Sequence, residues 1–203
     1  MARPWIALVL FTVYCALAFG WRSLRQRRAT GSTGFRGISG PPGSVEWTGG
    51  VLFAVAIALA VAAPIAEIAG WVAPLVAPGA AAVGLGAATV LAGTAGTLWS
   101  QAAMGDSWRI GVSADERTTL VTRGPFTAVR NPIFSFMILT ASGMLLVVPD
   151  PLAIASLVAL VVAIELQVRL VEEPYLLRTH GDSYADYCAR VGRFVPGLGL
   201  RAR

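Results

Sequence analysis

The sequence predicts an all-α, polytopic membrane protein with five transmembrane helices and a C-terminal helical cap on the cytoplasmic side. Three observations predict it. Hydrophobic residues make up 56% of the 203 positions and charged residues only 13%, where soluble domains run about 45–50% apolar and about 25% charged. The charges leave uncharged runs at 4–21, 47–66, 68–105 and 131–149, and a helix needs about 20 apolar residues to cross the hydrocarbon core. The arginines are also one-sided, with five in 22–46, four in 105–130 and six in 165–203, leaving Arg3 alone elsewhere. The positive-inside rule therefore places those three segments in the cytoplasm and the N-terminus outside. Disorder, collagen, a disulfide-stapled secreted domain and a nucleic-acid module are excluded by the same composition, and topology accounts for the pI near 10.0.

The first span is 4–21. Its flanking charge follows the run, at Arg22, Arg25, Arg27 and Arg28, so it reads as an uncleaved anchor rather than a signal peptide. Residues 29–44, rich in Gly, Ser and Pro, read as a loop. Span two is 47–66. Pro74 and Pro78 divide the long run that follows into a short connection and a third span, about 79–104. Gly84, Gly86, Gly93 and Gly96 in that span favour close helix approach. A polar segment, 105–130, leads to span four at 131–149, and Pro149-Asp150-Pro151 turns tightly into span five, 152 to about 172. Spans four and five are therefore expected to form an antiparallel hairpin. The chain divides into a three-span region, 1–104, containing the cytoplasmic loop 22–46, and a second region, 105–203.

After span five, Pro174 biases Glu173 away from helical geometry and can begin a new helix. Gly181 is expected to end that helix, Asp182 or Ser183 to cap the next, and Gly192 and Pro196 to stop it. Tyr184, Tyr187, Cys188 and Val191 fall on one stripe, which reads as a cap against the bundle or the membrane surface. Cys15 and Cys188 lie in different settings, so no disulfide is expected. His180 is the only histidine, so no metal site is expected. All 16 basic residues are Arg, and Ala, Gly and Val crowd the apolar runs, the usage of a GC-rich, bacterial genome; the bacterial inner membrane is the expected location.

Four features could carry chemistry, and each has a plain structural reading. Gly124-Pro125-Phe126 and Arg130-Asn131-Pro132 could be a turn and an anchor before span four. Glu172-Glu173 could be a solvated helix end. Glu165 with Arg169 could be an interfacial ion pair, although an ionisable residue within a span costs about 2.5–3.5 kcal/mol and needs a partner. Tyr184 and Tyr187 could simply pack.

In combination they resemble a known family. The order Leu120-Val121-Thr122-x-Gly124-Pro125-Phe126-x-x-Val129-Arg130-Asn131-Pro132-x-Phe134, a two-span hairpin, Glu172-Glu173-x-x-Leu176, and the tail Gly181-x-x-Tyr184-x-x-Tyr187-x-x-x-Val191-x-Arg193-Phe194-x-Pro196 is similar to the isoprenylcysteine carboxyl methyltransferase and phospholipid methyltransferase families. The resemblance covers roughly 105–197. It implies an integral membrane methyltransferase using S-adenosylmethionine, with Gly124, Pro125, Phe126, Arg130, Asn131, Pro132, Phe134, Glu172, Glu173, Tyr184 and Tyr187 around the cofactor and Arg130, Asn131 and Arg169 in catalysis. Asn131 stands where those families carry His, Phe126 and Phe134 where they carry Tyr, and Phe136 where they carry a Gly, so the added ring of Phe136 must point elsewhere.

Adjacent helical residues point about 100° apart, so one glutamate of the pair is expected to face the cofactor and the other an arginine such as Arg169 or Arg130. Asn131 cannot act as a base, which favours an acceptor that is already anionic: a carboxylate on a prenylated, fatty or polycyclic molecule drawn from the bilayer and held by an arginine. No nucleic-acid partner is expected. Two rival readings remain open from the residues: an NADPH-dependent sterol or steroid-type reductase, suggested by the ending Asp186-Tyr187-Cys188-Ala189-Arg190-Val191, and a non-catalytic relative.

Overall fold

The computed structural model describes residues 2–34, 38–105, 108 and 119–201. The expectations for 35–37 within the first loop, and for 106, 107 and 109–118 within the polar segment, lie outside the described residues. The described chain is helical, and its one β-like contact is an isolated bridge between Val129 and Gly192.

Five apolar helices form the bundle: α1 (Ala2–Thr30), α2 (Val45–Ile68), α3 (Ala80–Met104), α4 (Pro132–Val147) and α5 (Pro151–His180). A short amphipathic helix, α6 (Asp182–Arg190), follows. Helices α1, α2, α3 and α5 are long and apolar enough to cross a membrane, while α4 is a shorter apolar helix of 16 residues. At 1.5 Å per residue α4 spans only about 24 Å. It is short because irregular backbone carries the chain to Asn131, and Val148 to Asp150 form the turn at its other end. Asp150 closes that turn by accepting the Ala153 N–H at 2.7 Å, a helix N-cap.

The hairpin of α4 and α5 exists as a connection, but it is not the main packing unit. Helix α4 packs chiefly on α3, and α5 chiefly on α2. Missing side chains are the reason. A Cβ on Gly143 would lie 2.8 Å from the Gly86 carbonyl oxygen and the Val90 nitrogen, and one on Gly93 would lie 2.9 Å from the Phe136 carbonyl oxygen. The Phe136 ring fills the notch left by Gly96, where a Cβ would be 2.3 Å away. Its bulk therefore points into the α3 contact. Gly84 belongs to no such contact, since nothing lies within 4 Å of its Cβ position.

Two local expectations are corrected, and a third, which left the tyrosine stripe between the bundle and the membrane surface, is decided. Pro174 does not start a new helix: α5 continues through it, with Glu173 in helical geometry. A proline ring collides with the carbonyl four residues earlier, here Leu170, and that residue sits in a π-helical turn, Gln167–Glu172, whose wider winding absorbs the conflict. Neither Asp182 nor Ser183 caps α6, because Gly181 at φ 52° takes the N-cap position with no side-chain hydrogen bond. The stripe of Tyr184, Tyr187 and Cys188 packs on Leu176 and Leu177 of α5, so the cap lies on the bundle. A second π-helical turn interrupts α1 at Ala16–Trp21, and the Ala18 carbonyl there accepts from Gln101 Nε2 at 2.9 Å.

At one end of the bundle Arg3 pairs with Glu67 and donates to the Val147 carbonyl at 3.2 Å. The remaining described arginines lie toward the opposite end. Because α3 and α4 touch backbone to backbone, Gly143→Ala is expected to destabilise the protein by about 1–3 kcal/mol, the usual cost of overpacking. Gly84→Ala should melt at or slightly above the wild-type temperature. Thermal melting in one detergent compares the two.

Candidate active site

At the arginine-rich end the bundle forms a partly open cavity of about 980 Å³, at the upper end of the usual size for ligand pockets. The two π-helical turns both border it, through Phe19 and Gly20 of the first and Gln167, Val171 and Glu172 of the second. Of the residues singled out in the sequence, Phe126, Arg130, Asn131, Pro132, Phe134, Glu172, Tyr184 and Tyr187 line this cavity. Gly124, Pro125, Arg169 and Glu173 are not among its described lining residues.

Those four have other work. Gly124 takes φ +60°, which a residue with a side chain adopts only under strain, and opens the 3₁₀ turn Gly124–Thr127 that buries Pro125 and turns Phe126 inward. Arg169 is about half exposed and pairs with Glu165 one helical turn away; the structure does not bring it to the cavity. Glu173 is buried and bound by arginines. Arg193 grips it with two donors, Nε to Oε1 at 2.7 Å and Nη2 to Oε2 at 2.9 Å. Arg130 Nη2 donates to Oε1 at 2.9 Å, and Arg201 Nη1 approaches Oε2 at 3.5 Å.

Arg130 is correspondingly committed. Besides Glu173, its guanidinium donates to the carbonyls of Cys188 at 3.2 Å, Gly199 at 3.1 Å and Val191. Both terminal nitrogens are used, and Nε is buried without a partner. The fork that the sequence reading offered to an acceptor carboxylate is therefore closed: Arg130 spends it on the C-terminal tail. The backbone continues the same seam, with Arg130 N–H to Gly192 O at 2.8 Å and Asn131 N–H to Arg193 O at 3.1 Å. The Asn131 side chain adds Nδ2 to Arg193 O at 3.3 Å, and Ser135 Oγ donates to Phe194 O at 2.7 Å.

The tyrosines of α6 close the wall from the other side. Tyr187 donates its hydroxyl to the Phe126 carbonyl at 2.5 Å, and the Tyr184 and Tyr187 rings lie 6.2 Å apart. Burial pushes the Tyr187 hydroxyl up to about 12 and moves Tyr184 in the same direction. Both stay protonated at neutral pH and cannot serve as bases.

The site also contains residues for which sequence reasoning found no role. Arg193 lay within the quoted tail pattern, and its buried carboxylate partner could not be read from spacing. Tyr14, Phe19, Phe53 and Gln101, from α1, α2 and α3, line the same cavity; aromatic and polar residues scattered through apolar spans carry no pattern. Trp108 is buried against Gly34 and under the Arg22 guanidinium, 4.6 Å from its ring.

Residues 81–183, half of the chain, match the model of the family described as phospholipid methyltransferase. The chain belongs to that family. It is therefore an integral membrane protein of a methyltransferase family, and the matched segment runs from α3 to the start of α6, spanning the Arg130 segment and both glutamates. None of the curated proteins matches the chain.

Removing one side of a buried ion pair costs about 3–5 kcal/mol, because the remaining charge stays desolvated. Glu173→Gln leaves Arg130 and Arg193 without their carboxylate. The variant is expected to melt well below wild type and to lose residues 192–201 to limited proteolysis at protease levels that the wild type survives. A tail as resistant as in wild type would show that the backbone seam alone holds it.

Proposed function

We propose that this protein is an S-adenosylmethionine-dependent methyltransferase acting on a lipophilic acceptor from the bilayer, with transfer to a carboxylate as the favoured reaction. The observation that carries the reading is Glu172, a carboxylate on the wall of a large cavity that Phe126, Phe134, Tyr184 and Tyr187 also line, in a chain of a methyltransferase family. The residues present fit such a cofactor: Glu172 suits its ammonium or ribose hydroxyls by charge-assisted hydrogen bonds, and the aromatic rings suit its adenine and cationic sulfur. When bound, S-adenosylmethionine supplies the electrophilic methyl group.

The chain's own residues would then bind, orient and exclude water. Pro132 and Phe134 lead into α4 on one side of the cavity and the α6 tyrosines face it from another, so the reacting groups would meet in a largely apolar enclosure. Desolvation weakens the ground-state solvation of both a carboxylate and a sulfonium, and positioning brings them in line. No base is needed for an anionic acceptor, which agrees with Asn131 in the position nearest the seam and with the protonated tyrosines. With the Arg130 fork closed, the acceptor carboxylate would rest on single donors such as Arg130 Nε.

The protein is read as a bacterial inner-membrane protein with this cavity on the cytoplasmic side. Support comes from the arginine distribution: Arg22, Arg25, Arg27 and Arg28 lie at the cavity end of α1 and Arg3 at the other.

Glu172→Gln is expected to weaken S-adenosylhomocysteine binding by about 1.5–3 kcal/mol, as for a hydrogen bond to a charged group. Calorimetric titration measures it, and wild-type affinity in the variant would remove Glu172 from the site. Methyl label transferred to a membrane lipid extract should be released as methanol by mild base; base-stable label would show that the acceptor is not a carboxylate. Single cysteines at Ser44 and Ser183 should resist an impermeant thiol reagent in intact cells, and labelling of either from outside would invert the topology.

A further inference from the structure

A second, smaller void of about 40 Å³ lies deeper in the bundle, on the side away from Asn131, and is lined largely by apolar residues such as Ala56, Ala60, Met144 and Leu160. It shares three lining residues with the main cavity: Tyr14 of α1, Ile57 of α2 and Met137 of α4. These three form a septum, one side chain from each of three helices. Along α4, Met137 lies six residues beyond Asn131, about 9 Å at 1.5 Å per residue, and the deeper void reaches Val148, about 16 Å further by the same rise. Phe19, Phe53 and Ile164 make the wall above the septum apolar, and Glu172 stands toward the opposite end.

We propose that Tyr14, Ile57 and Met137 form the floor that limits the length of the acceptor's hydrocarbon chain, so that the acceptor is a lipid whose chain ends at this septum. The proposal rests on reading the cavity as the acceptor site of a methyltransferase. Above the floor each added methylene leaves water for an apolar wall, which raises affinity about fourfold. At the floor the next carbon meets side chains packed at interior density, and added volume is opposed. Met137, unbranched and flexible, is the member whose shortening would join the cavity to the void beneath it. Two of the three septum residues, Tyr14 and Ile57, lie outside the matched residues 81–183, which assigns the first two helices a part in acceptor selection.

Unbranched fatty alcohols of increasing length, displacing tritiated dodecanol from the detergent-solubilised protein, test the floor. Wild-type affinity should rise about fourfold per carbon to a limiting length and then stop rising. Met137→Ala and Ile57→Ala should each move that limit to longer chains, Ile57→Phe should shorten it, and Tyr14→Phe, which keeps the ring, should leave it in place. Thermal melting reports folding, and Met137→Val and Ile57→Val carry the test if an alanine variant does not fold. A wild-type affinity that climbs without limit, or a limit that none of the septum variants moves, would overturn the proposal. S-adenosylhomocysteine binding to the wild-type protein is measured alongside. Its absence would remove the methyltransferase reading while the chain-length result stands on the alcohols alone, and its presence with an unmoved limit would remove only the floor.

Discussion

Everything at the cavity end depends on one buried carboxylate. Glu173 is held by Arg193 through two hydrogen bonds and by Arg130 through a third, and the Arg130 and Glu173 side chains are almost fully withdrawn from solvent. Taking such charges out of water is costly, and the attraction between them offsets that cost only when geometry is good and the remaining donors are satisfied. Here Arg130 satisfies its donors on the carbonyls of Cys188, Val191 and Gly199. The ion cluster thus ties three stretches distant in sequence: the segment before α4, the end of α5 and the tail. The tail in turn holds Asn131 and the start of α4 in place.

The rest of the cavity follows from how the helices are allowed to approach. On one flank α3 and α4 are drawn into backbone contact by Gly86, Gly93, Gly96 and Gly143, which consumes the apolar area on that side. The space lies instead where α1 and α5 each carry a π-helical turn, Ala16–Trp21 and Gln167–Glu172. Such turns widen a helix and shift the facing of everything beyond them, and they recur at functional sites for that reason. The second turn has a direct chemical result. It leaves Glu172 on the cavity wall and sends Glu173 into the arginine cluster, so two adjacent and chemically identical residues have different tasks.

Much of this was legible in the residues. The uncharged runs, the arginine asymmetry and the prolines at 149 and 151 mark the apolar helices because hydropathy and backbone restriction act locally. The motif from Gly124 to Phe134, with Glu172-Glu173 and the tyrosine-bearing tail, pointed to the family. That Glu172 and Glu173 would not share one partner followed from helical spacing. Less was legible where partners are remote. Arg130 looked available to a substrate because its four acceptors come from residues 173–199, and Arg169 looked placed for catalysis because spacing does not tell which side of α5 it occupies.

The sequence by itself therefore determined which segments are helical and apolar, which end carries the positive charge, and which family the chain resembles. Each of these depends on residue type and near neighbours. Only the tertiary structure decided which glutamate lines the cavity, that the Arg130 fork is spent on the tail, that the Phe136 ring turns into the Gly96 notch, and that α1 and α2 complete the cavity wall. These are questions of helix phase and of contacts across forty or more positions in the chain. A single extra residue in one helical turn is enough to change the answer, because it rotates every side chain after it.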